Sequence, residues 1–436
     1  MAFSDTDSLT KVGPSTPMGE LMRRFWLPAA KSTELIADGD PLRLMLLGEK
    51  LLAFRDSHGK VGIMDHRCPH RCASLFFGRN EEGGIRCAYH GWKFNAEGQC
   101  IDMPNVPAEK DFKQKVTTKA YKTLERNGVI WVYMGKAEEA PDLPALGANL
   151  LPEEDVEVRF ILRECNWLQA LEGDIDTSHV GFLHAGAAKA EDVDPDDESR
   201  RFVVSNRAPE YKTRETDWGV MYGAHRPADK GETYWRVGQF LFPFWTMQPA
   251  GQFKSFIIAR GWVPMDDEHM MFVVINRKTA YPPNDKRTPV VGLSHDYEFL
   301  PNTTDWYGRW RLAANRENDY LIDRDVQRTG SYTGIEGLHI QDQAMCESMG
   351  TITDHSYERL APSDHMITQV RKRLLLAARA YQKDGSLPLI AKDASIYAQV
   401  RSGNYVVPED QDWLDAYSEQ YDAAEKVDDL IAAAAE

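Results

Sequence analysis

Residues 68 to 92 read CPHRCASLFFGRNEEGGIRCAYHGW and constrain this chain more than any other stretch. They set Cys68-x-His70 and Cys87-x2-His90 on either side of a sixteen-residue spacer. Two thiolates and two imidazoles in this order suit a [2Fe–2S] cluster with one iron held by cysteines and the other by histidines. Replacing two thiolates by imidazoles removes negative charge and raises the reduction potential. Zinc also accepts a Cys2His2 set, so a zinc ribbon is the alternative. Zinc sites, however, pair like ligands, as C-x2-C and H-x3-H. The mixed pairs here, followed by Gly91 and Trp92, favour iron.

A chain of 436 residues has room for two or three domains around such a site. A formal charge of −16 argues against nucleic acid or an anionic membrane as partner. The opening MAFSDTDSLTKVG lacks the basic and apolar regions of a signal peptide, and no apolar run reaches the length of a bilayer span. Beyond Cys68 and Cys87, the cysteines at 72, 100, 165 and 346 show no framework spacing, which points to a reducing cytoplasm. Cys72, two residues after His70, reads as a packing neighbour of the cluster rather than a ligand.

Thr16 as cap, Pro17 at the first helical position, and Met18, Leu21, Met22 and Phe25 at helical spacing predict a helix that ends at Pro28. From Leu42 to about Met134 the chain changes to short β-like runs, with the ligand motif on their loops. A Pro- and acid-rich passage around 135 to 155 reads as the way out of this region. Residues 163 to 185 then read helical, 201 to 278 strand-like, and the text from about 304 onward mainly helical. Antiparallel strands with segregated helices make the fold class α+β. The expected division is a helical segment at 1–40, a cluster-bearing antiparallel β domain at 41–140, and a larger catalytic domain at 141–436.

The second constellation is EGDIDTSHVGFLH, residues 172 to 184, with Asp176, His179 and His184. On a regular helix a separation of five splays the two imidazoles apart, so a bend near Gly181 is needed to converge them. Two histidines and one carboxylate on a single face of the metal form the non-haem Fe(II) arrangement that activates O2. Asp176 lies one turn before His179, close enough to accept its second ring N–H, with Glu172 and Asp174 as competitors. The run YWRVGQFLFPFWTM alternates so that Tyr234, Arg236, Phe240 and Phe242 share a face. An arginine on such a face binds a carboxylate of substrate or of protein. Arg207, ending the strand-like RFVVSNR, is the second candidate for a substrate carboxylate.

Taken together, VGPSTPMGELMRRFWLP, the 68–92 segment, EGDIDTSHVGFLH and IQDQAMCESMG resemble the Rieske non-haem iron aromatic-ring oxygenases. Within them the chain is similar to the phthalate dioxygenase-type branch, whose oxygenase component has one type of α-subunit. The resemblance covers about residues 10 to 370 and implies a helix-grip-like catalytic domain. It implies His179, His184 and Asp342 as ligands of a mononuclear Fe(II), with Glu347 as the alternative carboxylate. It also implies that Asp176 bridges His179 to His90 of a neighbouring subunit in a homo-oligomer, a trimer or stacked trimers. Cys72 departs from the glycine common after CPHR.

Neither a G-x-G-x-x-G turn nor a second cysteine quartet is present, so electrons must come from a separate protein. The resemblance implies an NAD(P)H-dependent flavin and iron–sulfur reductase. The expected reaction is hydroxylation with O2 as co-substrate, most readily cis-dihydroxylation, of an aromatic acid such as a phthalate or substituted benzoate. Two alternatives stay open: an aryl O-demethylase on a methoxylated aromatic acid, and a Rieske electron-transfer protein without oxygenase activity.

Overall fold

The structure is a computed structural model that describes residues 3–434 apart from 190, 192, 194–197 and 281–296. Three antiparallel sheets organise it. The first has six strands in the order Trp26–Lys31, Val129–Tyr133, Ala120–Arg126, Val61–Asp65, Glu49–Arg55 and Leu42–Leu46. The second is a four-stranded ribbon, Arg79–Glu81, Gly84–Arg86, Lys93–Phe94 and Cys100–Asp102, inserted between strands of the first. Its apolar residues Ile85, Trp92 and Phe94 pack with Leu52, Phe54 and Met64 of the six-stranded sheet and enclose Cys68 and Cys87.

The N-terminal helix is shorter than its apolar spacing predicts. Thr16 Oγ1 accepts from Gly19 N and Pro17 occupies the first turn, but the helix stops at Met22. Trp26–Lys31, with Pro28 inside it, is an edge strand of the first sheet. A proline is tolerated there because an edge position needs no N–H from it, and the register slips between Pro28 and Ala30. The expected helical segment at 1–40 therefore divides. The helices Asp5–Thr10 and Pro17–Met22 pack on the long helix His365–Asp384, while Trp26–Lys31 joins the sheet of the cluster region.

The third sheet has eight strands. Seven run in the order Val156–Arg163, Met270–Arg277, Ile258–Pro264, Trp245–Met247, Glu232–Leu241, Gly219–Pro227 and Glu210–Glu215. The eighth, Gly403–Pro408, comes from the region read as helical and pairs with Glu232–Leu241 next to Trp245–Met247. The RFVVSNR run is not a strand: Glu198–Ser205 is helical, so Arg207 follows a helix. Packing of Phe202 and Val203 against Tyr234 outweighs the β propensity of the paired valines.

One face of this sheet carries the helix Trp167–Ile175. Asn166 fixes where that helix begins. Its Oδ1 accepts from Leu168 N, while its Nδ2 donates to the carbonyls of Thr10 (2.9 Å) and Asp267 (2.7 Å). The helix thus starts at a point tied to both the N-terminal helix and a sheet turn, and its last turn releases the chain toward His179. Among the described residues no helix is long and apolar enough to cross a membrane.

Candidate metal centres

The two ligand loops of the cluster region close with the same backbone hydrogen bonds. Cys68 N donates to Ala73 O and Cys72 N to Cys68 O; nineteen residues on, Cys87 N donates to Trp92 O and Gly91 N to Cys87 O. Cys72 and Gly91 are therefore counterparts, and both are left-handed, at φ +58° and +80°. Glycine adopts this conformation freely and Gly91 is further held by Pro104, whose Cγ lies 2.6 Å from where a Cβ would stand. Cys72 accepts the strain and is exposed, so it does not pack against the cluster site as its position in sequence suggests.

The loops bring Cys68, His70, Cys87 and His90 together. Both cysteines are buried and unbridged. The His70 and His90 rings stand 4.5 Å apart, and His70 stacks on Trp92 at 4.4 Å. His90 Nδ1 is buried without a hydrogen-bond partner. Burial pushes the Cys68 thiol up to about 12, with the neighbouring Cys87 adding to the effect. Two buried sulfurs beside an orphaned imidazole nitrogen fit a site completed by metal charge.

The second centre gathers residues from two distant segments. Three donor atoms form a triangle: His179 Nε2 to His184 Nε2 is 3.2 Å, His184 Nε2 to Asp342 Oδ1 is 3.1 Å, and His179 Nε2 to Asp342 Oδ1 is 3.6 Å. Two metal bonds of about 2.1 Å at a right angle place their donors about 3 Å apart, so the set fits one face of an iron ion. The chain achieves this by leaving the helix at Ile175 and forming a single 3-10 turn at His179–Gly181. This is the bend that the spacing of five requires.

Neighbours fix the ligands. His184 is buried and its Nδ1 lies 2.8 Å from Gln341 Oε1, whose own Nε2 donates to Ile335 O. That holds the His184 ring with Nε2 facing Asp342. Asp342 sits on the helix Leu338–Ser348. Burial opposes ionisation of its carboxyl, but His184, His179 and His339 outweigh burial and hold it well below the usual carboxylate range. The alternative ligand Glu347 is engaged elsewhere, accepting from Glu164 N, Gln343 and Tyr320.

The three acids competing for His179 separate cleanly. Asp176 Oδ2 lies 3.6 Å from His179 Nδ1, and its Oδ1 accepts from Ser178 N at 2.7 Å. Burial lowers the His179 pKa, yet Asp176 and then Asp342 more than compensate and raise it. Asp174 instead accepts from Arg260 (2.5 Å) and from Thr246. Glu172 and Glu358 both take paired hydrogen bonds from Arg371. Together with His355 these two glutamates have donor atoms close enough for a metal, but the guanidinium already supplies the positive charge between them.

Of the two arginines expected to meet substrate, Arg236 is buried on the inner face of its strand, and its Nε donates to Thr177 Oγ1 at 2.7 Å. Arg207 lies against Phe182 and Gly181 and spends its terminal nitrogens on the carbonyls of Ala185, Gly186 and Ala188. It ties down the loop that follows His184. Gln341, His339 and Thr177 escaped the sequence reading, because only the fold shows which way they face: Gln341 toward His184, His339 toward Asp342 and Thr177 toward Arg236. The one available signal was that Gln341 and His339 flank Asp342 within a turn.

Comparison with known proteins adds three findings. Residues 25–122 match the Rieske [2Fe-2S] domain, and residues 132–434 match the LigXa C-terminal domain like family. The 3-chlorobenzoate-3,4-dioxygenase oxygenase subunit of Comamonas testosteroni is 49% identical over 95% of this chain and 98% of its own length. The phthalate 4,5-dioxygenase oxygenase subunit of Pseudomonas putida is 35% identical over 95% and 94%. Among solved structures, dicamba monooxygenase bound to 3,6-dichlorosalicylic acid aligns at a TM-score of 0.56 and 16% identity, over 83% of this chain and 99% of that one, which speaks for the fold.

Proposed function

Because the chain belongs to the Rieske non-haem iron oxygenases and is an oxygenase that uses a [2Fe–2S] Rieske cluster, mononuclear iron and O2, we propose that it hydroxylates an aromatic carboxylate. The reaction is cis-dihydroxylation: both atoms of O2 add across one ring bond, with two electrons and two protons. The observation that carries the substrate class is Arg236. Its guanidinium is buried on a face it shares with Tyr234 and Phe240, and its Nε bond to Thr177 fixes it two residues before His179. Among the described residues its hydrogen bond goes to a neutral hydroxyl, and a buried positive charge so placed is suited to an anionic ligand. The two relatives above, named for a chlorobenzoate and for phthalate, support the same class.

In this reading Cys68, Cys87, His70 and His90 hold the cluster, and His179, His184 and Asp342 hold the iron. When bound, the cluster supplies electrons one at a time and the iron binds and activates O2. Gln341 keeps His184 in its ligating orientation, and Asp342 stays ionised to provide the negative charge. Asp176 holds the proton on His179 Nδ1 with one oxygen. We further infer that Asp176 also meets His90 of a neighbouring copy, in a trimer or stacked trimers. The D-x2-H spacing of Asp176 and His179, which carries the family resemblance, supports this. A separate NAD(P)H-dependent reductase would deliver the electrons. A reducing cytoplasm suits six unbridged cysteines.

The test is a product screen with the iron-loaded protein, a surrogate reductase and a panel of benzoates, phthalates and methoxybenzoates, each beside its neutral amide. Diols from the acids, with poor turnover of the amides, are expected. Equal turnover of neutral and anionic rings would remove the substrate class. Formaldehyde from methoxybenzoates without diol from any acid would replace dihydroxylation by O-demethylation.

A further inference from the structure

At one end of the eight-stranded sheet, buried polar groups gather around a single small residue. Ala224 lies directly opposite Tyr211 on one neighbouring strand and opposite Arg236 on the other. On its own strand Tyr222 and Arg226 are two residues to either side and so point to the same face. Four polar side chains thus surround one methyl group, at the spacings of directly paired and alternate positions. The Tyr211 and Tyr222 rings are 6.5 Å apart.

Among the described residues, Arg226, Tyr211 and Tyr222 keep polar atoms that no protein group meets. Arg226 is fully buried; its Nε donates to Asn206 O at 2.6 Å, but Nη1 and Nη2 are both buried with no hydrogen-bond partner. The hydroxyls of Tyr211 and Tyr222 are likewise buried and unpartnered. Burial, then the like charge of Arg236, pushes the Arg226 pKa down to about 10. Burial raises the pKa of both tyrosines, so their hydroxyls remain protonated donors. Buried donors of this kind are costly to leave unmet, and charged guanidinium donors more so. Water could bridge the hydroxyls but brings no negative charge to the guanidinium groups.

We propose that Arg226, Tyr211 and Tyr222 join Arg236 in a carboxylate-binding subsite floored by Ala224, which selects the anionic group of the substrate. The proposal rests on the aromatic-carboxylate reading above and adds to it the residues that enforce it. The subsite is tied to the iron ligands through Arg236 and Thr177, which precedes Ser178 and His179. The clamp is made of donors alone: guanidinium N–H and phenol O–H groups suit an acceptor-only carboxylate, whereas an amide's own N–H groups would find nothing to accept them.

The experiment is calorimetric titration of the holoenzyme, cluster and iron loaded, with the best acid from the panel and with its primary amide. Arg226→Met should weaken the acid 10- to 100-fold and leave the amide within about twofold. Tyr222→Phe should weaken the acid roughly threefold to tenfold. Ala224→Leu, which fills the floor, should remove acid binding while both metal centres persist. Without substrate, Arg226→Met should melt no lower than the parent, since an unmet buried charge is gone. A parent enzyme that prefers acid over amide, with Arg226→Met and Ala224→Leu both binding the acid as tightly, overturns this subsite alone. A parent that binds acid and amide alike overturns the aromatic-carboxylate reading itself. If Arg226→Met loses its Rieske signal or melts lower, the residue is structural, and unchanged acid binding by Tyr222→Phe and Ala224→Leu then overturns the subsite.

Discussion

The two metal centres are built by opposite means. The cluster site draws four side chains from two short loops that repeat one backbone pattern nineteen residues apart. Its positions are set by main-chain hydrogen bonds and by a left-handed residue at the same point of each loop. The iron site draws its donors from a 3-10 turn and from a helix, with Gln341 reaching His184 across 157 residues of chain. Its ligands are aimed by side chains, chiefly Gln341 and Asp176. A locally closed site depends on its own loop. A site assembled by the fold depends on neighbours that carry no motif.

The sharpest way to break this contrast is to remove ligands from each centre in turn. Cys87→Ser or His90→Ala should erase the Rieske absorption and electron paramagnetic signal and reduce turnover to background. His179→Ala, His184→Ala or Asp342→Ala should also abolish turnover, yet keep that signal while the mononuclear iron is lost. A native cluster spectrum after the first pair, or full iron after Asp342→Ala, would show that the donors have been misassigned.

Next in size is Asp176→Asn. Both centres should stay loaded while turnover falls by roughly 100-fold, in line with the loss of a partner that orients a ligand histidine. Mass photometry of the same protein should report a trimer or a multiple of it; an active monomer would exclude the bridge to a neighbour's His90. Gln341→Leu should act on affinity instead. Iron should bind roughly 10-fold more weakly, measured by competition with a chelator, with the Rieske potential unmoved. An altered Rieske potential would mean that the two centres are not independent in their support.

The smallest effects belong to the paired loops. Gly91→Ala should lower the melting temperature of the holoprotein, because its Cβ would collide with Pro104 in a left-handed conformation. Cys72→Gly should raise stability by about 1 kcal/mol at most, the scale of left-handed strain for a residue with a side chain. If both substitutions shift the melting temperature in the same direction, the two loops are not equivalent.

How much of this was legible before folding differs between the centres. Cys68, His70, Cys87 and His90 could be found because a metal motif confined to two loops leaves its spacing in the sequence. His179 and His184 were readable as a pair, and the need for a bend between them followed from helix geometry alone. Asp342 was one acid among 67 until the resemblance singled it out. Trp26–Lys31 and Gly403–Pro408 were misread because pairing with strands far along the chain overrides local spacing. Arg207 and Arg236 looked alike in the sequence, and only their surroundings separate them: one donates to loop carbonyls, the other is buried on a sheet face.

By itself, then, the sequence determined the candidate ligand types, their order and the α+β class of the fold, which are read from short-range patterns. Tertiary structure decided which carboxylate faces which histidine, which acids are taken by Arg260 and Arg371, and that Tyr211, Tyr222, Arg226 and Arg236 meet around Ala224. The reason is physical. Covalent spacing fixes neighbours within a turn or a strand, whereas ion pairing and the meeting of buried polar groups depend on sheet register, which is set by contacts between segments far apart in the chain.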